Sequence, residues 1–253
     1  RDLLFRRFCH LEFNGGVPDR RTLDRFLDQL TAQDLWEPLL GEVNRQLEEQ
    51  QIIITAGRIN IIDATPIEAA RSGLGKSKGK KTMGEPTQDP EAGKHVKQNS
   101  RGKITATHVY SVHTAVDEDG FIHRQTVTAG NAHDSTQIDV LLLGDETALY
   151  ADSAYSSQET RDKLELLGID DQVQRKGYRN NPISEADLQR NAEIAVTRAG
   201  GERPFAVYKK DFGLARTPYL GLAKNMSFFG LAAIAANLKK AAKFLKLYGL
   251  RPA

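Results

Sequence analysis

Two aspartates stand where a folded chain could use them to bind a cation. Asp63 follows the β-branched pair Ile61 and Ile62, and Asp152 follows the apolar Tyr150 and Ala151, so each is predicted to end a strand. Side chains at the ends of strands in an α/β sheet project into the crevice beyond the sheet edge, where active sites form. The interval between them is long enough for two strands and a helix. An acid that ends a strand only to reach solvent fits the same pattern.

A third acid lies between two cations further along the chain. In Arg198-x3-Glu202-x6-Lys209 the three residues share one face if the segment is helical, so that the cations flank an acid pointing inward. A guanidinium binds phosphate through two hydrogen bonds, whereas an ammonium acts as a point charge. Phosphate binding is one interpretation of Arg198 and Lys209. The other is a surface ion pair with a nearby acid, which contributes about 0–1 kcal/mol.

Hydrophobic periodicity indicates the elements that must position these residues. Residues 1–50 carry three apolar stripes at helical spacing, which fit a helix-turn-helix relative and a packing or dimerisation element equally well. Apolar and β-branched runs then predict strands at 52–54, 59–63, 104–116, 121–128, 147–151 and 170–174. Asp134 is predicted to cap a helix through Leu143, and the remainder is largely helical. Strands followed by strand–helix alternation predict an α/β fold, a mixed sheet with helices on both faces.

The distribution of charge indicates phosphate binding more clearly than its total does. The chain has 253 residues, of which 40% are apolar and 27% charged, and a formal net charge of +2. Basic residues gather at 71–103, where a Gly- and Lys-rich stretch predicts a surface loop or insertion at 73–103. A second basic group lies near the end of the chain: Lys239, Lys240, Lys243, Lys246 and Arg251. Local positive surface of this kind attracts phosphate.

Cysteine content and apolar tracts indicate the compartment. The single cysteine, Cys9, excludes a disulfide framework and suits a reducing cytosol. No secretory signal peptide is recognisable, and the longest apolar tract, at 226–237, is too short to span a bilayer. We therefore expect a cytoplasmic protein with no membrane partner. Because the chain begins at Arg1 in a predicted helix, we also expect that an N-terminal portion is missing.

The segment around Glu202 resembles the C-terminal signature of bacterial insertion-sequence transposases of the DDE type, in the superfamily that groups insertion-sequence families four and five. That signature reads Tyr-x2-Arg-x3-Glu-x6-Lys, and this chain continues it through the Arg216-Thr-Pro-Tyr219 and Gly221-Leu-Ala-Lys224 stretches. Residues 62–65 and 151–155 resemble the segments that carry the first and second aspartates of the family. Residues 130–135 resemble the segment that usually precedes the second aspartate. The likeness extends from about residue 17 to residue 237.

The resemblance implies a fold and a chemistry. It implies an RNase H-like mixed five-stranded sheet flanked by helices, in a catalytic domain at 51–253 preceded by a helical segment at 1–50 for DNA binding or dimerisation. It maps catalysis and metal binding onto Asp63, Asp152 and Glu202. Two Mg²⁺ ions, for which Mn²⁺ would substitute, would serve cleavage at element ends and strand transfer to target DNA. The remaining residues it implies contact DNA: Arg198, Lys209, Arg216, Tyr219 and Lys224.

The same resemblance implies a homodimer on DNA, because two element ends must be joined, and a nucleoid-associated bacterial protein. This sequence departs from the signature at two places. Ala195 occupies the tyrosine position, and Gly200 and Gly201 precede Glu202, where we expect them to loosen the glutamate. These departures keep two alternatives open. One is a transposase-derived DNA-binding or regulatory protein with weakened catalysis; the other is an RNase H-like nuclease.

Overall fold

A mixed β-sheet forms the centre of the fold. The computed structural model describes residues 3–12, 15–54, 58–70, 89–98, 102, 104–178 and 181–248. Within these residues the strands are β1 (Asn60–Glu68), β2 (Gly93–Gln98), β3 (Ile104–Val116), β4 (Ile122–Ala129), β5 (Ala148–Ala151) and β6 (Asp170–Val173). Their order is β2-β3-β1-β5-β6, and β4 also pairs with β3.

The long strand β3 explains how six strands make a sheet only five strands wide. Its N-terminal half pairs with β2 and its C-terminal half with β4, so these two short strands share one edge. β1 pairs antiparallel with β3 and parallel with β5, and β5 pairs parallel with β6. The prediction of a mixed, five-stranded RNase H-like sheet is therefore confirmed.

The hairpin between β3 and β4 closes through Asp117, Glu118, Asp119 and Gly120. Gly120 has φ of +81°, a left-handed conformation that favours glycine. The Asp117 carboxylate accepts a hydrogen bond from the Phe121 backbone N–H at 2.8 Å, which fixes the return of the chain into β4. The predicted hairpin is thus confirmed, and its turn borders a basic cavity.

Helices cover both faces of this sheet. They are α1 (Leu3–Phe8), α2 (Arg20–Ala32), α3 (Trp36–Glu49), α4 (Ile138–Leu141), α5 (Gln158–Leu167), α6 (Glu185–Arg198), α7 (Arg203–Ala206) and α8 (Leu222–Tyr248). One core contains Trp36 of α3, Tyr110 of β3 and Phe229 of α8. The other contains Leu149 of β5 and Leu164 of α5. None of the helices described is both long and apolar enough to cross a membrane.

The prediction of a strand at 52–54 is wrong. Ile52 and Ile53 follow α3 in a turn, and both backbone N–H groups donate to the Leu47 carbonyl. Their β-branched side chains are buried against Leu47 and Phe121 as a small separate core. An apolar run can therefore cap the end of a helix as well as build a strand, because burial alone does not set the backbone conformation.

Two further differences between the predicted and the observed elements concern the strands around the candidate site. Asp63 does not end its strand, because β3 continues to pair with β1 through Glu68. Within the stretch at 73–103 that we predicted as a loop or insertion, Gly93–Gln98 forms strand β2, and residues 71–88 lie outside the described residues. The three helices predicted for residues 1–50 are present as α1, α2 and α3.

Candidate active site

Asp63 and Asp152 lie side by side on neighbouring strands. The parallel register of β1 and β5 ends with Ile62 opposite Ala151, and each aspartate is the next residue along its chain. Asp63 stays within β1, whereas Asp152 leaves the sheet. Both acids therefore stand at the carboxyl end of a parallel strand pair, the position that favours ligand sites in α/β sheets.

Asp63 is held in a buried and electrostatically unfavourable environment. The residue is 8% exposed, and its Oδ1 accepts from Nη1 of Arg198 at 3.3 Å. Burial raises the pKa of Asp63 to about 6, although Arg198 and the Ala64 backbone N–H lower it, and the charges of Asp152 and Glu202 add to the rise. A cation in addition to Arg198 would stabilise this carboxylate.

Asp152 is fixed by the turn that follows β5. It is the N-cap of the 3₁₀ turn Ser153–Tyr155, and its Oδ1 accepts from the Ala154 N–H at 2.7 Å. The side chain is half-buried. A short polar residue at a cap gains one backbone hydrogen bond and a defined orientation. The geometry of this carboxylate is therefore set by local structure.

The glycine pair before Glu202 brings the third acid close to β1. Gly200 and Gly201 belong to the 3₁₀ turn Ala199–Glu202 between α6 and α7. A Cβ on Gly201 would lie 3.1 Å from Ile61 Cγ2 and 3.2 Å from Asp63 Cβ. Glycine therefore permits an approach that larger residues obstruct, so the pair has a packing role that the sequence did not predict. The Glu202 side chain itself is 67% exposed.

Arg198 spans two of the three acids. Its Nη1 lies 3.3 Å from Asp63 Oδ1, and its Nη2 lies 4.0 Å from Glu202 Oε1. The Arg198 side chain is 20% exposed, and its Nε has no hydrogen-bond partner among the described residues. Arg198 flanks Glu202 across one helical turn as predicted, but the prediction that this acid points inward is wrong, because its side chain is mostly exposed. The guanidinium places a positive charge next to Asp63.

Lys209 reaches the same strand from a distorted helical segment. After the four-residue helix α7, residues Val207–Asp211 form a π-helical turn, so the segment from Arg198 to Lys209 is helical but is not one regular α-helix. The Lys209 Nζ donates to Thr65 Oγ1 at 2.6 Å. Thr65 lies two residues beyond Asp63, so both side chains occupy one face of β1. π-Helical turns occur frequently at functional sites, where they redirect side chains.

The second half of the signature, residues 216–224, contacts residues away from the acids of the candidate site. Arg216 Nε donates to Glu68 Oε2 at 2.9 Å, at the far end of β1. The Tyr219 hydroxyl donates to Asp24 Oδ1 at 3.1 Å, and Lys224 Nζ lies 2.7 Å from Asp28 Oδ1. The Lys224 ammonium also lies 5.0 Å from the centroid of the Tyr219 ring. Tyr219 and Lys224 thus attach helix α2 to the start of α8.

Asp134 is a fourth acid that sequence reasoning interpreted only as a helix cap. The N-cap of the 3₁₀ turn Asp134–Gln137 is His133, and Asp134 lines a cavity of about 340 Å³ together with His95. Burial raises the pKa of Asp134, and the charge of Asp152 adds to the rise, while His133 and His95 lower it. The signal that could have found it is the position of residues 130–135 in the family resemblance.

The donor set fits a divalent cation in its chemistry. Carboxylate oxygens are the ligands that Mg²⁺ and Mn²⁺ take, and burial, with smaller contributions from the charges of Asp152 and Glu202, raises the pKa of Asp63. Among the described residues no three His, Cys, Asp or Glu side chains form a ready metal cluster. Asp63 and Asp152 therefore fit as fixed ligands, and Glu202, whose side chain is exposed, fits as a ligand that must turn inward.

The sheet and its acids define an RNase H-like domain of the DDE type, and comparisons with known proteins identify the family. Residues 55–238 match the family described as the transposase DDE domain. Over 232 residues the chain is 32% identical to the transposase for insertion sequence element IS1106 of Neisseria meningitidis serogroup B; the match covers 87% of this chain and 78% of that protein. The chain belongs to the insertion-sequence transposases of the DDE type. Members of this family act on DNA and depend on divalent metal ions.

Proposed function

We propose that this chain cuts DNA at the ends of an insertion element and joins the freed ends to target DNA. The observation that carries the proposal is the placement of Asp63 and Asp152 directly after the last parallel pair of β1 and β5. The turn with Glu202 packs against the same strand. Family membership supplies DNA as the substrate, and the geometry supports the assignment of these three acids.

We assign two Mg²⁺ ions to this acidic group, with Mn²⁺ as a substitute. Asp63, Asp152 and Glu202 would hold them. When bound, such ions lower the pKa of the attacking hydroxyl or water and stabilise the leaving oxygen. The chain contributes the rest. It fixes Asp152 through the Ala154 N–H, buries Asp63 away from bulk water, and keeps cations at the edge of the site.

The bonds that change are those of two successive substitutions at phosphorus. In the first, a water oxygen bonds to phosphorus, the P–O3′ bond breaks, and the O3′ oxygen takes up a proton. In the second, this 3′-hydroxyl loses its proton as it bonds to a target phosphorus, the target P–O3′ bond breaks, and the released O3′ oxygen takes up a proton. Each step needs donors for the non-bridging oxygens, because negative charge increases at the phosphate.

Arg198 and Lys209 are placed to supply those donors. Arg198 contacts Asp63 and lies 4.0 Å from Glu202 in the free protein, and it would be free to turn to a phosphate if these acids held a cation. Lys209 lies on the same face of β1, at Thr65. A planar guanidinium suits two phosphate oxygens at once, whereas the lysine adds a point charge. These two residues form the proposed phosphate contact of the reacting centre.

Arg216, Tyr219 and Lys224 form a weaker part of the proposed DNA surface. Tyr219 and Lys224 are engaged with Asp24 and Asp28 of α2. They can contact DNA only where this helix releases them. We further propose that the protein acts as a homodimer on DNA, since two element ends must be held together for joining.

A DNA-binding protein with weakened catalysis is the second candidate. It is favoured by one observation: Arg198 stands between Asp63 and Glu202, and the Glu202 side chain is mostly exposed. In this case the acids would be neutralised by arginine permanently, and DNA would be bound without being cut. The two candidates differ in whether cleavage occurs and whether it depends on the aspartates.

Cleavage of a plasmid that carries this gene with its flanking DNA tests the proposal. We expect nicking in Mg²⁺ or Mn²⁺ by the natural chain, and loss of nicking in Asp152→Asn with DNA affinity changed only a few fold. Asp162→Asn is the matched control, because Asp162 is an exposed aspartate on α5 that accepts from Gln158 at 2.7 Å. Equal nicking by Asp152→Asn would remove Asp152 from the catalytic group. DNA binding without nicking by the natural chain would favour the second candidate.

A further inference from the structure

A basic cavity lies beside the turn that carries Glu202. It has a volume of about 320 Å³ and is bordered by the β3–β4 hairpin, the π-helical turn and helix α8. Its cations are Arg203, Lys239, Lys240 and Lys243. The apolar part of its lining includes Ile122 and Val207. A concave surface that combines apolar walls with several cations suits a sugar–phosphate unit.

The acids near this cavity neutralise its cations only in part. Asp211, the acidic residue of the lining, accepts from Lys239 at 2.6 Å. Asp117 of the hairpin turn is engaged with the His123 ring at 2.8 Å. Asp117 and Asp119 of the hairpin turn both lie close enough to interact electrostatically with Lys240. Arg203, Lys240 and Lys243 therefore face two carboxylates, which leaves one positive charge in excess.

The ion pairs of the described residues support this imbalance. Arg203, Lys240 and Lys243 have no carboxylate within 4.0 Å among the residues that the structure describes. Glu202, which precedes Arg203, is paired with Arg198. The cavity therefore retains positive charge that an anion can use.

Lys240 is positioned by its surroundings, unlike an ordinary surface lysine. Its Nζ lies 5.5 Å from the Phe121 ring centroid and 5.9 Å from that of Phe244. It also approaches the hairpin turn, where a Cβ on Gly120 would lie 3.5 Å from it. Burial and the charge of Arg203 lower the pKa of Lys240. A bound phosphate would offset both effects, because it provides a charge-assisted hydrogen bond.

The cavity adjoins the candidate active site through the backbone. Arg203 directly follows Glu202, and Val207 belongs to the same π-helical turn as Lys209. A Cβ on Gly120 would lie 3.8 Å from the carbonyl oxygen of Gly200, so the hairpin turn contacts the 3₁₀ turn that bears Glu202. A DNA strand whose scissile phosphate lies at the acids can therefore extend to this cavity.

We propose that Arg203, Lys240 and Lys243 bind a backbone phosphate of the DNA strand that flanks the scissile phosphate. The inference rests on the proposed function, since it places the same DNA substrate. The apolar lining at Val207 receives the deoxyribose. The contact is independent of sequence, because it reads only the sugar and the phosphate.

The salt dependence of binding to a labelled DNA duplex tests this site. Each phosphate contact that is lost lowers the slope of log K against log salt by about 0.9. We expect Lys240→Gln with Lys243→Gln to lower the slope by about 0.9, because both lysines serve the same phosphate, and to weaken binding roughly tenfold. Lys246→Gln, on the same helix but outside the cavity lining, is the matched control and should leave the slope unchanged.

Further measurements distinguish the loss of a DNA contact from a folding defect of the variants, and DNA binding from the binding of a free anion. Lys240→Arg retains the charge and should keep the slope of the natural chain, and thermal unfolding of every variant should match. A slope unchanged in the double variant would overturn the proposed contact. Binding of inorganic phosphate together with an unchanged DNA slope would also overturn it, because the cavity would then take a free anion.

Failure of this site and failure of the proposed function give different results. A lowered slope in the double variant, with no nicking by the natural chain, would support the phosphate site and contradict the transposase proposal. Nicking that is lost in Asp152→Asn, with an unchanged slope in the double variant, would support the transposase proposal and contradict the phosphate site.

Discussion

The two halves of the C-terminal signature occupy different environments in the fold. Residues 198–209 face β1, where Arg198 contacts Asp63 and Lys209 contacts Thr65. Residues 216–224 turn away and attach to Glu68 and to helix α2. One continuous motif therefore contains residues that lie at the acids and residues that hold elements together. Proximity in a motif does not establish proximity in space.

The largest expected difference between the halves concerns cleavage. Asp63→Asn and Glu202→Gln should each reduce DNA nicking by more than about a hundredfold, because even outer-shell partners of a metal contribute that much. Glu68→Gln is the control on the same strand, since Glu68 pairs with Arg216 at the other end of β1. Nicking should change little in that variant. A comparable loss in Glu68→Gln would mean that both halves serve the chemistry.

The next largest effect is a dependence of stability on pH that originates in Asp63. Its folded pKa is raised to about 6 from 3.8 by burial, so the unfolded state loses its proton first as the pH rises. Stability in EDTA should therefore fall as the pH rises between about 4 and 6, by at most about 3 kcal/mol. Urea unfolding of the natural chain and of Asp63→Asn measures this. An identical pH profile in the two proteins would contradict the claim that burial raises the pKa of Asp63 in the folded protein.

Close packing of the glycine pair gives a smaller effect on stability. Gly201→Ala should destabilise the protein by about 1–3 kcal/mol, because the new Cβ would lie 3.1 Å from Ile61 and 3.2 Å from Asp63. Gly41→Ala is the control, since Gly41 is a helical glycine with open space around it. That change should stabilise the protein by about 0.5–1 kcal/mol. Chemical denaturation of both variants would show whether the turn needs its close approach.

The smallest expected effects concern Lys209 and Lys224, whose substitution should change the salt dependence of DNA binding to different extents. Lys209→Ala should lower the salt slope of DNA binding by about 1. Lys224→Ala should lower the slope by less than Lys209→Ala does, because Lys224 contacts DNA only where α2 releases it, and it should cost only about 0–1 kcal/mol of stability, because its ion pair with Asp28 is partly exposed. DNA titrations at several salt concentrations would compare them. Equal slope changes would place Lys224 on the DNA surface in the complex and require release of α2.

Most of the sheet could be predicted from the sequence, because its strands carry long apolar runs with clear ends. The hairpin at 117–120 and the strands of β5 and β6 follow from such local signals. The run at 52–54 has the same composition, yet it caps α3. Local composition cannot distinguish these outcomes, since what decides them is whether a neighbouring strand is available for pairing.

The acids of the site could be identified from their spacing and the family signature. The contacts that surround these acids could not be predicted. The role of Gly200 and Gly201 depends on the approach of a distant strand. The contacts of Tyr219 and Lys224 with α2 depend on the docking of a helix nearly two hundred residues earlier. The fourth acid, Asp134, was hidden because a helix cap explains it locally. In each case the missing information was tertiary.

Anomalous diffraction from Mn²⁺ in crystals of the protein bound to an element-end duplex tests the central claim most directly. The account predicts Mn²⁺ peaks bounded by the carboxylates of Asp63, Asp152 and Glu202, with Arg198 turned away from Asp63 toward a phosphate. Mn²⁺ located away from these acids, or Arg198 still between Asp63 and Glu202 with DNA in place, would contradict it.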